Sequence, residues 1–211
     1  MFDMGPYYLT ALVNLAGAVR SVSAYTRITF PQRKITSQPL CGAMIDVEVP
    51  THIAGVMRFE NGAIGTLTTS FDVYDDHQAC LEVFGSRGSI IVPDPNTFGG
   101  PVLLMSPEDV EATHSDPGLR TGNLPAYAGY KEIPLLFDYN VNSRALGLSD
   151  MCKALRTGRD FRANCQQQYH VLEILTSFEK SSREGKFIPL TTHYTRTAPM
   201  KNNPMHGILD D

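Results

Sequence analysis

This sequence predicts an α+β fold, an open antiparallel or mixed sheet with helices packed on one face. Three observations lead there. An apolar helix opens the chain, strand-like runs joined by hairpin turns fill its middle, and two helical stretches with stop signals close it. Hairpins, rather than alternating strand–helix units, argue for an antiparallel or mixed sheet over a doubly wound parallel one.

The first helix follows Phe2-Asp3-Met4-Gly5-Pro6 and runs to a stop at Gly17. Pro6 suits a first turn because its missing N–H has no intrahelical partner there. Tyr8, Leu12 and Leu15 form one apolar row and Leu9, Val13 and Ala16 the adjacent one, giving a broad buried stripe. Residues 18–30 alternate and are rich in Val, Thr, Tyr and Ile, which predicts a strand closed by Pro31. Residues 32–43 read as a polar connection. Residues 47–59 and 64–73 read as two long strands joined through Glu60-Asn61-Gly62-Ala63. Asn-Gly favours a two-residue type I′ turn, which would pair Phe59 with Ile64 and Val56 with Leu67. Both faces of that pair carry apolar groups, so one is expected to take the helices and the other a second protein surface.

A further hairpin spans residues 79–92 around Gly85-Ser86-Arg87-Gly88, and residues 102–105 form a short strand. Residues 106–130, rich in Pro, Gly, Asp and Thr, read as a long loop. The next helix covers residues 142–157, with Ala145, Leu148, Cys152 and Leu155 as its apolar face and Gly158 as stop. In the last one Asn164 and Gln167 are spaced like a capping box, Val171, Leu175 and Phe178 form the stripe, and Gly185 ends it. Phe187 to Leu190 adds an edge strand. The organisation expected is therefore one domain over residues 1–190 and a tail over 191–211.

The composition narrows the class. At 211 residues, with a formal net charge of −4, the chain has no electrostatic reason to bind nucleic acid or an anionic membrane. It carries no apolar run long enough to span a bilayer and no basic leader. Its four cysteines, Cys41, Cys80, Cys152 and Cys165, show no CxxC spacing, which fits a reduced cytoplasmic setting. No G-x-G-x-x-G and no P-loop occurs, so any redox cofactor would sit on a part of the protein outside this sequence.

Four stretches in this order and spacing resemble the C-terminal domain of the glucose–fructose oxidoreductase and inositol dehydrogenase family, Gfo/Idh/MocA. They are Asp3-Met4-Gly5-Pro6-Tyr7-Tyr8 with its helix, Phe59-Glu60-Asn61-Gly62-Ala63, Phe84-Gly85-Ser86-Arg87-Gly88-Ser89, and His170-Val171-Leu172-Glu173 with residues 181–185 beyond it. The resemblance covers residues 2–190. It implies an α+β domain like the C-terminal domain of glyceraldehyde-3-phosphate dehydrogenase, joined in the full protein to a Rossmann domain that binds NAD or NADP and is absent from this chain. It also implies hydride transfer at a hydroxyl or carbonyl carbon of a sugar, cyclitol or related polyol. The family's signature is D-x-G-x-H, whose Asp and His meet the substrate. Here Asp3 and Gly5 match, and Tyr7 stands in place of the His. Imidazole, with a pKa near ~6.5, takes a proton at neutral pH, whereas a phenol near ~10 does not. Either Tyr7 orients substrate for a lysine of the other domain, or redox activity is altered or lost.

Asp3 and Tyr7 are the expected catalytic pair. Asp3 also has a capping role open to it, and Tyr7 a packing role. Asp72, Tyr74 and His77 at a strand end, and Arg144 at a helix start, are the expected substrate contacts, since sugars stack on aromatics and bond to charged groups. Asp75, Asp76 and His77 are consecutive and make a poor metal site, so no metal is expected. This reading gives a substrate-binding and oligomerisation domain that binds no cofactor by itself and is inactive alone. Homo-oligomerisation through the exposed sheet face is expected. Phe2 and Asp3 already lie inside the motif, so Met1 reads as a fragment boundary. The rival is a non-catalytic sugar-binding or dimerisation module without a redox half.

Overall fold

The computed structural model describes residues 1–74, 80–116, 127–137 and 139–200. In chain order the elements are α1 (Gly5–Ala16), β1 (Val19–Arg27), β2 (Gln32–Lys34), β3 (Met44–Asp46), β4 (His52–Phe59), β5 (Ile64–Ser70), β6 (Leu81–Gly85), β7 (Gly88–Val92), β8 (Val102–Met105), α2 (Pro107–Ser115), β9 (Lys131–Ile133), α3 (Leu146–Thr157), α4 (Cys165–Glu184) and β10 (Ile188–Pro189). The class is α+β, and among the described residues every strand pair is antiparallel. The chain divides into two compact units, residues 1–76 with 158–198 and residues 77–157 with 199–211. The strands form two four-stranded sheets, one in each unit, and a separate two-stranded ribbon.

In the first unit the sheet order is β10-β1-β4-β5, with α1 and α4 on one face. Alternation along β4 sends Ile53, Met57 and Phe59 inward against Leu9 and Val13 of α1 and Val171, Ile174, Leu175 and Phe178 of α4. Gly55 shares the inward row, and a Cβ there would sit 2.6 Å from the Phe178 ring, so the helix rests directly on the strand backbone. In α1 the buried row is Gly5, Leu9 and Val13. Leu15, from the other predicted row, is exposed.

β10 pairs with only two residues of β1, leaving much of that strand edge without a neighbouring strand. Side chains of α4 supply acceptors to it. Val19 N–H donates to His170 Nε2 at 2.9 Å, Ala24 N–H to Ser181 Oγ at 3.0 Å and Thr26 N–H to Ser182 Oγ at 2.9 Å. Ser181 Oγ in turn donates to the Lys186 carbonyl at 2.7 Å, next to the left-handed Gly185 cap. Ser181→Ala removes both bonds and is expected to cost about 1–3 kcal/mol, read as a lower urea midpoint with an unchanged slope.

The β4–β5 connection differs from the two-residue turn the sequence predicts. Arg58 pairs with Ile64, Val56 with Thr66 and His52 with Ser70, one residue out of the expected register. Gly62 N–H donates to Phe59 O at 3.1 Å, and Gly62 alone in the turn takes a positive φ, +90°. Asn61 uses its side chain instead. Its Oδ1 accepts from Ala63 N–H at 3.0 Å and its Nδ2 donates to Ala16 O at 3.0 Å, tying the turn to the end of α1. This is the type I turn followed by a left-handed glycine of a longer hairpin loop.

One further expectation is corrected here. Residues 32–34 and 44–46, within and beside the predicted connection, pair as the β2–β3 ribbon. Residues 191–198 belong to the first unit, with Tyr194 buried in its core.

The second unit is the meander β6-β7-β8-β9 with α2 and α3. α2 and β9 occupy ground the sequence reads as loop or leaves unassigned. Ser106 caps α2, its Oγ accepting from Asp109 N–H while the Asp109 carboxylate accepts from Ser106 N–H. Lys131 of β9 pairs with Asp109, and chiefly for that reason the carboxyl is held down to about 2. The Ser-Pro-Glu-Asp stretch is a helix-start signal that periodicity alone does not reveal. α3 starts later than expected, at Leu146, after Ala145 takes φ +72°. Its predicted apolar face is outward, Leu148 at 61% and Leu155 at 77% exposure, while Asp150 and Ala154 are buried.

Candidate functional site at the head of α1

The direction of α1 decides where its polar residues go. α4 runs beside β1 in the same sense, His170 meeting Val19 and Ser181 meeting Ala24. α1 runs against α4, with Asn14 bonded to Gln167 and Gly5 packed on Leu175. The N-terminus of α1 therefore points toward the sheet end where β1 finishes and β5 runs out into Phe71 and Asp72.

Asp3 and Tyr7 are both exposed at that N-terminus, Tyr7 at 51%. Asp3 does not cap the helix. Met4 is the N-cap, without a side-chain bond, and the turn before it closes through Gly5 N–H to Met1 O at 2.7 Å. Gly5 has a packing reason, because a Cβ would stand 2.8 Å from Leu175 Cδ2. The glycine brings the helix start close to α4 and sets the two polar residues beside it on the surface.

Asp72 is a different kind of group. Its side chain is 7% exposed, its Oδ2 accepts from Thr51 Oγ1 at 2.7 Å, and Arg33 Nη1 stands 3.6 Å from Oδ1. Arg33 Nη2 also donates to Phe71 O at 2.8 Å, so the β2–β3 ribbon is tied to the end of β5. The Thr29 hydroxyl, then Thr51, Arg33 and His52, outweigh partial desolvation and hold the Asp72 carboxyl below its ordinary range. Sequence reading missed Arg33 and Thr51 as its partners, since nothing local to either residue points to Asp72.

Tyr74 is almost wholly exposed. His77, with Asp75 and Asp76, lies outside the described residues. Arg144 is exposed in the second unit, its N–H donating to Asn142 Oδ1 at 3.4 Å. Among the described residues no three His, Cys, Asp or Glu side chains are grouped to hold a metal ion, and no helix is long and apolar enough to cross a membrane. No βαβ crossover, the element that seats a dinucleotide pyrophosphate, occurs among the described strands.

A family model described as the GFO/IDH/MocA C-terminal domain matches residues 1–91, from α1 through most of β7. Asp3, Tyr7, Asp72 and Tyr74 fall within that stretch and Arg144 falls outside. No curated protein sequence matches the chain.

Solved structures share the fold. A levoglucosan dehydrogenase in complex with NADH and L-sorbose aligns at TM-score 0.61 and 15% identity, over 90% of this chain and 50% of its own. An NAD binding oxidoreductase from Klebsiella pneumoniae aligns at TM-score 0.60 and 18% identity, again over 90% and 50%. An aldose-aldose oxidoreductase from Caulobacter crescentus, complexed with glycerol, aligns at TM-score 0.59 and 18% identity, over 89% and 46%. The chain thus spans about half the length of these solved chains.

Proposed function

We propose that this chain is the substrate-binding and oligomerisation domain of an NAD- or NADP-dependent oxidoreductase acting on a sugar, cyclitol or related polyol. The observation that carries the reading is the exposed Asp3–Tyr7 pair at the head of α1, seated on α4 through Gly5 inside the stretch that matches the family. A carboxylate accepts two substrate hydroxyls, and a phenol beside it donates to the oxygen of the reacting carbon. Tyr74 and Asp72 of the first unit belong to the substrate side in this reading. Asp72 acts there through the ribbon it holds, because its carboxylate is already committed to Thr51 and Arg33. The nicotinamide cofactor belongs to the other half of the full-length protein, none binds to this chain alone, and the enzyme works in the cytoplasm.

Full-length protein incubated with NAD or NADP and a panel of aldoses, levoglucosan, L-sorbose and inositol is expected to change absorbance at the nicotinamide band, and this chain alone is not. Asp3→Asn and Tyr7→Phe are each expected to lower kcat/KM by about 10²-fold. Polyol binding without turnover in the full-length protein would instead mark a non-catalytic module.

The outer face of the first sheet is the expected homo-oligomer contact. Ser23, Val56 and Thr66 form one cross-strand row and Tyr25, Ala54 and Thr68 the next, with Tyr25 82% exposed. Tyr25→Glu is expected to convert the oligomer to monomer in light scattering, since an unpaired carboxylate in a closed interface is costly. An unchanged mass would rule out this face.

A further inference from the structure

Residues 191–198, which the sequence reads as the start of a tail, run from α4 to the C-terminal end of α1. At one end Glu173 gathers them in. Its carboxylate accepts from Thr191 N–H at 2.9 and 3.1 Å, from Thr191 Oγ1 at 2.8 Å, from Thr192 N–H at 2.9 Å and from the Thr192 hydroxyl. Thr192 Oγ1 also lies 2.7 Å from His170 Nδ1, whose ring reaches β1 through Val19. In the middle, buried Tyr194 and Gln167 converge on one atom of α1. The Tyr194 hydroxyl donates to Asn14 Oδ1 at 3.3 Å, and Gln167 Nε2 donates to the same oxygen at 2.7 Å. Farther on, Arg196 Nη1 donates to the carbonyls of Asn14 at 3.1 Å and Leu15 at 3.3 Å. Arg162 Nε then holds the Ala198 carbonyl at 3.0 Å.

Two of these contacts act on α1 specifically. A helix ends in carbonyls without intrahelical donors and with partial negative charge, and α1 has no basic residue of its own in that turn. Arg196 supplies the charge and the donors for Asn14 O and Leu15 O from 182 and 181 positions away in sequence. The other end of α1 bears on α4 through the Gly5–Leu175 contact, immediately beside Asp3 and Tyr7. A helix of 12 residues is a stiff lever of about 18 Å. Together with the core packing of Leu9 and Val13 and the Asn61 bond to Ala16 O, the Arg196 bonds fix the direction of this lever, and with it the place of the two polar residues.

We propose that residues 191–198 are a strap that positions the Asp3–Tyr7 site by clamping α1, with Arg196 as the positioning residue that closes it. The proposal rests on the reading of Asp3 and Tyr7 as substrate contacts. A strap that only added stability would lower activity in proportion to the folded fraction and leave KM unchanged. A positioning strap acts on the bound geometry.

The test uses the full-length protein with Arg196→Ala, Arg196→Lys and Tyr194→Phe. Hydrogen exchange is followed across α1, and kinetics use the best substrate of the panel above. In Arg196→Ala the amides of the last turn of α1 are expected to exchange about tenfold faster while those of β4 and β5 keep their rates. The polyol KM is expected to rise about tenfold with the cofactor KM unchanged, because small misplacements carry large kinetic costs. Arg196→Lys restores part of both, and Tyr194→Phe gives a smaller shift in the same direction. Unchanged exchange in α1, or loss of activity that only tracks the folded fraction, overturns the proposal. Asp3→Asn and Tyr7→Phe run alongside. If they abolish turnover while Arg196→Ala leaves KM alone, the strap is refuted and the site stands. If neither affects turnover while α1 still loosens in Arg196→Ala, the site reading has failed and the positioning role falls with it.

Discussion

Phe178→Ala is expected to lower stability by about 3–5 kcal/mol, the range for deleting a wholly buried aromatic ring. Its ring lies against the backbone of β4 at Gly55, where an added Cβ would stand 2.6 and 2.8 Å from two ring carbons and 2.9 Å from the Ser23 carbonyl. Gly55→Ala is therefore expected to cost about 1–3 kcal/mol by overpacking. The two changes share one space, so their costs are not additive. In a Phe178→Leu background Gly55→Ala meets a smaller neighbour, and the coupling is expected to be about 1 kcal/mol or more. Part of the Gly55→Ala cost remains in that background, because the Ser23 carbonyl belongs to the strand and does not withdraw. Urea unfolding of the four proteins, followed by far-ultraviolet circular dichroism, measures the cycle. Simple additivity would mean the ring and the strand are not in contact.

Acid is expected to unfold the first unit through Glu173 and His170. Partial desolvation raises the Glu173 carboxyl, but bonds from the Thr192 hydroxyl, the Thr191 and Thr192 amides and the Thr191 hydroxyl outweigh it and hold it down to about 2. Its folded value lies below the ordinary 4.5, so its stabilisation is complete above that pH and is lost as pH falls toward 2. Burial is the main reason the His170 imidazole is pushed below 6.5, against the opposing pull of Glu173 and Glu60. It too favours the fold above its ordinary value and ceases to as pH falls through the folded one. Both groups therefore give a stability that climbs from acid to neutral pH. Glu173→Gln is expected to flatten the part between about pH 2 and 4.5, and His170→Gln the part just below 6.5. Melting temperature measured against pH checks both, and parallel curves for wild type and Glu173→Gln would contradict the assignment. Because Glu173 fastens residues 191 and 192, the same titration is expected to release the segment before the sheet, visible as early exchange at Thr191 and Thr192.

Much of the fold was legible in residues close to one another. The stops at Gly17 and Gly185 hold as read, each glycine taking a positive φ just past a helix. The Val171, Leu175 and Phe178 stripe is buried as its spacing implies. The Asn164 cap forms, since its side chain accepts from Gln167 N–H at 2.9 Å, but the return half of the box does not, because Gln167 turns its own amide to Asn14. That partner is 153 positions distant, and no local pattern announces it. The β4–β5 register follows the same logic. Asn-Gly signals a turn wherever it stands, but the bond from Asn61 to the Ala16 carbonyl of α1 accompanies a longer loop, and one residue of slip re-pairs every cross-strand neighbour.

The candidate site divides along the same line. That Asp3 and Tyr7 stand at a helix start was legible because both lie within one turn of Pro6. The surroundings of Asp72 were not, because Arg33, Thr51 and Asp72 come from three separate segments.

By itself the sequence determined the α+β class, most helix ends and the inward row of α4, because a helix stop or a buried stripe is written in residues a few positions apart. Tertiary structure decided which side of α3 is buried, how β4 registers with β5, that Asp72 faces protein donors, and that residues 191–198 fasten α1. Those outcomes depend on which distant group arrives with a free donor or a space to fill, and hydrogen bonds and packing act on proximity in space, not along the chain.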